Sequence, residues 1–423
     1  MRYVYSIVMK CFQWLLPLLA LTTRKESKLH RFAVGHRHAL ATIEAARKAH
    51  PDISVCWVHA ASLGEYNVVR PLIERLKQRT GCVIVMTFFS PTGVEALTGR
   101  ETLPPFIDAV FYLPLDTRSN VRRFLDVVRP EKAIFAVSEY WVNYLLELKR
   151  RGIPAFLISG VVSERSALLK WYGRLFYADA LKAYRAMMVL DEDSQHRLQE
   201  LGVENAVVVS DPLFDAAVSV AKMPYSDETI ERFCNGDRVF VAGSIHDDND
   251  LKLVCTLANR YRNVKFIFVP HEVTRERLRQ IADGLKGAAM TYSDYRTATS
   301  PSDIQVLVID FVGALARIYR YGTWAYVGGG FTPYLHSVIE ATAYGLPVAF
   351  GPKIHRKPML RKMMALGIGQ SVKTADELDD WFIPLRKNTE LLANIRQKAI
   401  AFMQQNSGVA EKVVSIILEK SKS

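Results

Sequence analysis

The sequence predicts an α/β protein: two Rossmann-like domains behind an N-terminal membrane-anchoring helix. Three observations carry this. Apolar strand-like runs alternate with helical stretches along almost the whole chain, the pattern of parallel sheets with helices on both faces. The alternation breaks near Ala216 to Asp237, where Pro224, Asp227 and Gly236 read as a linker. Tyr3 to Thr23 is nearly all apolar or aromatic, unlike anything after it. The expected organisation is residues 1–38 as anchor and basic juxtamembrane segment, 39–215 as the first domain and 216–423 as the second.

Length and composition agree. A chain of 423 residues suits two domains, and 49% hydrophobic residues fill sizeable cores. The net charge of +12 is dispersed, and no zinc finger, RNA-binding signature or basic zipper accompanies it, which argues against nucleic acid. The five cysteines are widely spaced without a C-x-x-C pair, the usage of reduced thiols and not of a disulfide or zinc framework.

Tyr3 to Thr23 reaches the roughly 20 residues a bilayer requires. Lys10 and Pro17 interrupt it, so an interfacial helix is the other form it could take. No small-x-small cleavage pattern precedes the basic run, against a signal peptide. Arg24, Lys25, Lys28, His30, Arg31, His36, Arg37 and His38 then hold that end on the cytoplasmic side, where they suit anionic lipid head groups.

The next elements follow in order. Ala39–Ala49 reads as a helix, Val55–Ala60 as a strand, Asn67–Arg79 as a helix after a glycine turn, and Val83–Phe88 as a strand. Helix Thr92–Thr98, strand Val110–Leu113, helix Asn120–Val128, strand Ala133–Val137, helix Tyr144–Arg151 and strand Ala155–Ser159 continue the alternation. Met187–Leu190 and Ala206–Val209 close the first series. The second runs through strand Val239–Ala242, helix Asp250–Tyr261, strand Lys265–Val269, helix Arg275–Leu285 and strands Gln305–Ile309, Trp324–Val327 and Pro347–Phe350. Two such halves facing a central cleft are the GT-B architecture, with ligands beyond the strand C-termini.

The stretch from Val327 to Pro352 is the most telling. Gly328, Gly329 and Gly330 follow a strand and lead into a helix read over Ser337–Tyr344, stopped by Gly345 and Pro347. Such a loop suits phosphate, and Glu340, one turn in, suits the two hydroxyls of a ribose. An ordinary βαβ unit with a glycine turn has the same residues. His59 to Glu65 forms a small-residue turn after the first strand and would project Glu65 from a loop as a base for an acceptor hydroxyl, or leave it as a helix-start carboxylate. Phe88 to Gly93 is a second strand-end loop or a plain N-cap. Glu139 comes just after the apolar run Ala133–Val137, past Ser138, where packing has no use for a charge.

Read together, Ala61 to Glu65, Phe88 to Gly93, Leu113 to Asp116, Ser138 to Asn143, Lys170 to Gly173, Ala242 to Ser244, Val269 to Glu272, Gly328 to Gly330 and His336 to Glu340 resemble, in order, the motifs of the 3-deoxy-D-manno-octulosonic acid (Kdo) transferase family of lipid A biosynthesis. Lys170–Gly173 and Pro270–Glu272 are similar to the Bacteroidetes-type branch. The resemblance implies an inverting transferase, independent of metals and cofactors. It would take CMP-Kdo and a lipid A precursor, lipid IVA, at the cytoplasmic face of the inner membrane and its lipids. It implies Glu65 as general base and Glu139 as the carboxylate that stabilises the transition state. CMP contacts fall on His271 and Glu272, on Val312, Gly313 and Ala314, and on Ser337, Val338, Ile339 and Glu340. Ser244, Gly329 and Gly330 would form a donor-side loop. The chain departs from the family at Leu213, which stands where a Lys or Arg steadies the leaving phosphate; Arg317, Lys353 and Arg165 are candidates to replace it. Ser337 replaces an Asn, Ala314 an acidic residue, and Gly160 and Val161 alter the segment before Ser163 to Ser166. Two other readings stay open: a UDP-sugar transferase or epimerase of the same architecture, and a membrane-tethered paralogue without activity.

Overall fold

The computed structural model describes residues 2–47, 54–99, 101–298, 304–333, 335–354 and 358–422, so the last two residues of the helix expected over Ala39–Ala49 lie outside it. The chain forms two compact units, Met1–Ala216 with Gly408–Ser423, and Ala217–Ser407.

The first unit carries β1 (Val55–Ala60), β2 (Val83–Phe88), β3 (Ala109–Tyr112), β4 (Pro130–Ala136), β5 (Ala155–Gly160), β6 (Tyr184–Val189) and β7 (Ala206–Val208). They pair in parallel in the order β3-β2-β1-β4-β5-β6-β7. β1 is buried at every position, which is why its sequence is apolar on both faces and not alternating, with His59 the one polar residue in it. Its residues feed two cores by pleat parity. Trp57 packs with Phe124, Phe135 and Tyr144 on one face; Cys56 and Val58 pack with Ile73, Met86 and Phe156 on the other.

The second unit repeats the plan with β8 (Val239–Ile245), β9 (Lys265–Pro270), β10 (Ala289–Thr291), β11 (Val306–Val308), β12 (Trp324–Val327), β13 (Val348–Phe350) and β14 (Gly369–Ser371). Its order is β10-β11-β9-β8-β12-β13-β14, again parallel. β10 and β14 were absent from the sequence reading: at three residues each they are too short to show a period.

Three expectations need correction. The segment read as a linker is mostly helical, Leu213–Lys222 and Glu228–Cys234, with Pro224 between them. Asp227 is not a turn residue but an N-cap, accepting from the backbone N–H of Thr229 and Ile230. Next, the C-terminal stretch assigned to the second domain joins the first unit from Gly408 onward. Its helix, Val409–Lys422, buries Val413, Val414 and Ile417 in the core that holds Leu72 and Ile73. The Asp215 carboxylate fastens its start, accepting from the N–H groups of Gly408 at 2.5 Å and Ala410 at 2.6 Å.

The third concerns the N-terminus. Arg2–Thr22 is a helix, the one among the described residues long and apolar enough to cross a membrane. One side docks on the first unit: Tyr5 Oη donates to Asp116 at 2.7 Å, Ser6 Oγ to Asn143 at 3.0 Å, and Leu16 packs with Ala33 and Leu115. The other side exposes Val4, Ile7, Val8, Trp14, Leu15, Leu18 and Leu21. The basic run is itself largely helical, Lys28–Arg47. His36 is not part of a charged surface: it is buried, its ring nitrogens 2.8 Å from the carbonyls of Leu113 and Phe89. Two facing carbonyls favour the imidazolium, but burial outweighs them and lowers the pKa to about 4.

Candidate functional site

In a doubly wound sheet the strand order reverses at one point, and loops leaving the C-terminal ends there diverge and open a crevice. In the first unit the reversal falls between β1 and β4, paired through His59 and Phe135. Glu65 follows β1 and Glu139 follows β4, so the two carboxylates flank that point. Glu65 does not project from a glycine loop. Ser62 is an N-cap, accepting from Gly64 N–H at 3.3 Å, so the helix starts at Leu63, earlier than expected. Glu65 stands in its first turn, at the positive end of the helix dipole. The Ser62 hydroxyl donates to Glu65 Oε2. Ser90, after β2, is likewise an N-cap.

Glu139 is held more closely. Its side chain is 12% exposed, and Oε2 accepts the indole N–H of Trp141, with His59 Nε2 3.5 Å away. Tyr184 donates its hydroxyl to the Glu139 backbone carbonyl. Just before it, at the end of β4, Val137 has φ +67°, and Ser159 in β5 has φ +58°. A β-branched residue in the left-handed region is strained by about 1–3 kcal/mol and persists only where its surroundings impose it.

In the second unit the reversal falls between β8 and β12. The glycine loop after β12 is there, but its glycines answer to packing. A Cβ on Gly328 would lie 2.1 Å from the Ser244 carbonyl oxygen, and one on Gly330 2.5 Å from Gly351 N. Gly329, at φ +87°, spends its N–H on Asp250 Oδ2 at 2.7 Å. That N–H is therefore not open to a phosphate, contrary to the expectation. Asp250, which sequence reasoning passed over as a helix residue, is fully buried and also accepts from His246 N–H at 3.0 Å and Tyr326 Oη at 2.6 Å. Ser244 is buried with φ +53°.

The helix after the loop is short, Ile339–Thr342, with Ser337 two residues before it and Val338 and Ile339 buried. Glu340 is half-buried and has no hydrogen bond or ion pair to any described residue; burial raises its pKa. His271 and Glu272 directly follow β9, and His271 N–H donates to Ile245 O at 3.0 Å. Val312 and Gly313 are exposed after β11, with Ala314 buried behind them. All the residues expected to meet the nucleotide thus follow C-terminal strand ends of one sheet. Leu213, in the first unit, begins a helix, its N–H on Asp211 Oδ1 at 2.9 Å. Of the proposed substitute cations, Arg317 lies 5.4 Å from the Tyr225 ring, and Lys353 and Arg165 are exposed.

The structure adds a cluster that sequence spacing hid. His246, His271 and His336 come from the loops after β8, β9 and β12, each with a ring nitrogen within 4.8 Å of the others. Burial first, then the neighbouring His246, hold His271 below the ordinary imidazole pKa. It is the one group among the described residues with ligands enough for a metal such as zinc. A cavity of about 250 Å³ opens beside it, lined by His246, His271, Glu272 and Arg277.

Two doubly wound units of this kind recur in a UDP-GlcNAc 2-epimerase from Neisseria meningitidis solved with UDP-GlcNAc. It superposes with a TM-score of 0.61 at 15% identity, covering 87% of this chain and 99% of that one. The shared fold makes this a GT-B chain. Residues 30–216 match the 3-deoxy-D-manno-octulosonic-acid transferase (kdotransferase) domain family. The 3-deoxy-D-manno-octulosonic acid transferase of Haemophilus influenzae is 25% identical over 431 residues, 98% of each chain. That of Chlamydia muridarum is 27% identical over 321 residues, 73% of this chain and 72% of its own. Residues 30–216 thus match a Kdo transferase family domain, and the relatives that align beyond it carry the same name.

Proposed function

We propose that the protein transfers Kdo from CMP-Kdo to lipid IVA, with inversion, without a metal, at the cytoplasmic face of the inner membrane. The observation that carries this is the placement of Glu65 and Glu139 on either side of the strand-order reversal in the first unit. Glu65 takes the proton of the acceptor hydroxyl as that oxygen attacks the anomeric carbon from the face opposite the nucleotide, and CMP leaves. A single displacement inverts the centre. Glu139, oriented by the indole N–H of Trp141, opposes the positive charge that grows on the sugar. Glu340, a half-buried carboxylate with no described partner, accepts the ribose hydroxyls of CMP. The outward apolar face of the helix Arg2–Thr22, with exposed Arg24, Lys25 and Lys28 next to it, meets the membrane where the acceptor resides.

The test is turnover of purified protein with CMP-Kdo generated in situ and lipid IVA. Glu65→Gln is expected to lower the rate at least ~100-fold with CMP affinity unchanged. Retention of more than a tenth of the rate would remove Glu65 as the base. Calorimetry showing UDP bound in preference to CMP would move the reading to a UDP-sugar enzyme.

A further inference from the structure

We propose that His59 is a positioning residue for Glu139, the last link of a buried relay that runs Trp57, Thr87, His59, Glu139 and leaves only Glu139 Oε1 free to act. The proposal rests on the reading of Glu139 as the stabilising carboxylate.

The relay has one consistent direction. An indole nitrogen only donates, so Trp57 Nε1–H gives its proton to Thr87 Oγ1, 2.8 Å away. The Thr87 hydroxyl then has a single proton to place. His59 Nδ1 is 3.0 Å off and the Val58 carbonyl 3.5 Å, so the ring nitrogen receives it. With Nδ1 accepting, the imidazole proton sits on Nε2. That nitrogen is fully buried and faces Glu139 Oε2 at 3.5 Å, with no hydrogen-bond partner among the described residues. The opposite tautomer would donate Nδ1–H to the Thr87 carbonyl at 3.1 Å. It would set the Nε2 lone pair against a carboxylate oxygen and leave the Thr87 proton only the longer contact to Val58. Phe135 and Trp141 flank the ring edge-on and fix its plane.

Oε2 therefore faces two N–H groups, from His59 and Trp141, while Oε1 has none among the described residues. The Trp141 hydrogen bond and the facing His59 N–H set the carboxylate in one orientation. Trp57, Thr87 and His59 are fully buried in the sheet, so the first unit's core itself sets the aim of Glu139.

The experiment compares Thr87→Val, His59→Phe and His59→Gln with the parent protein. Nitrogen NMR of histidine-labelled protein reads the tautomer without any substrate. The Nε2–H form is expected for His59 in the parent, shifting toward Nδ1–H in Thr87→Val. In steady-state kinetics Thr87→Val and His59→Phe are expected to lower kcat roughly 10- to 100-fold with KM within about twofold, because misaimed groups cost rate before binding. His59→Gln, with an amide N–H in place of Nε2–H, should recover most of the rate. An Nδ1–H tautomer in the parent overturns the proposal. So does a His59→Phe enzyme that loses rate only in proportion to its folded fraction by circular dichroism, or a His59→Gln enzyme no faster than His59→Phe. A parent inactive with CMP-Kdo would defeat the functional reading, yet the tautomer measurement would still decide the relay.

Discussion

Replacing Asp250 tests the internal scaffold of the second unit. Its buried carboxylate receives three close donors, Gly329 N–H, His246 N–H and Tyr326 Oη–H. Asp250→Ala strands all three in the core. Each unsatisfied buried donor costs roughly 1–3 kcal/mol, so the sum is roughly 3–9 kcal/mol, comparable to the ~5–15 kcal/mol that holds a domain together. Asp250→Asn is gentler. The amide oxygen can keep the two backbone N–H groups if the NH₂ points at Tyr326, whose hydroxyl can turn and accept. What remains is the difference between charged and neutral hydrogen bonds, about 1 kcal/mol each. Less stabilisation is lost than the sum of three, because a neutral group is cheaper to bury, and about 2 kcal/mol is expected. For a unit of this size that lowers Tm by roughly 4–8 °C. Calorimetric melting gives the shift, and hydrogen exchange at Gly329 reports the local bond. An Asn variant melting within about 1 °C of the parent, with Gly329 N–H equally protected, would refute the role of Asp250 in holding the glycine loop.

Glu340→Ala is expected to raise the Kd for CMP at least ~10-fold, as each hydrogen bond to a charged acceptor contributes about 1.5–3 kcal/mol; unchanged affinity by calorimetry would refute the ribose contact. A triple Val8→Glu, Leu15→Glu, Leu18→Glu variant should leave anionic vesicles at physiological salt without a change in Tm, because these side chains are at least half exposed. If it still sediments with the vesicles, the outer face of that helix is not the membrane contact. Burial lowers the His36 pKa from 6.5 to about 4, so the unfolded chain takes up this proton first as pH falls. Stability is then full above about 6.5 and declines towards about 4, by ~3 kcal/mol from this group. Glu147, its carboxyl lowered from 4.5 to about 2 chiefly by Arg150, adds its loss only below 4.5, so the two windows separate. An NMR titration placing His36 near 6.5 would contradict this.

What the sequence disclosed and what it withheld divide by range of interaction. Strands buried on both faces, such as β1, announce themselves as largely apolar runs, and a charge just after such a run, as at Glu139, stands out against it. Both signals lie within a few residues. Asp250 reads locally as one acid among several at a helix start, where dipole and capping already explain it; its partner Gly329 is 79 residues away. The glycine loop shows the converse. Three consecutive glycines look the same whether they clear a path for a phosphate or let a loop lie against Ser244 and Gly351, and only the tertiary contacts separate these. His36 looks like its charged neighbours until Leu113 and Phe89 are seen around it. The last helix follows the second unit in sequence, yet Asp215, 193 residues before Gly408, caps it onto the first. His59 combines both cases. In sequence it is the penultimate residue of a core strand, and a core histidine needs no function. Its direction comes from Thr87 on the neighbouring strand and its purpose from Glu139 beyond the next one. A residue of this kind acquires a role only when register sets three strands side by side, and that is why the carboxylates were visible in the sequence and the device that aims one of them was not.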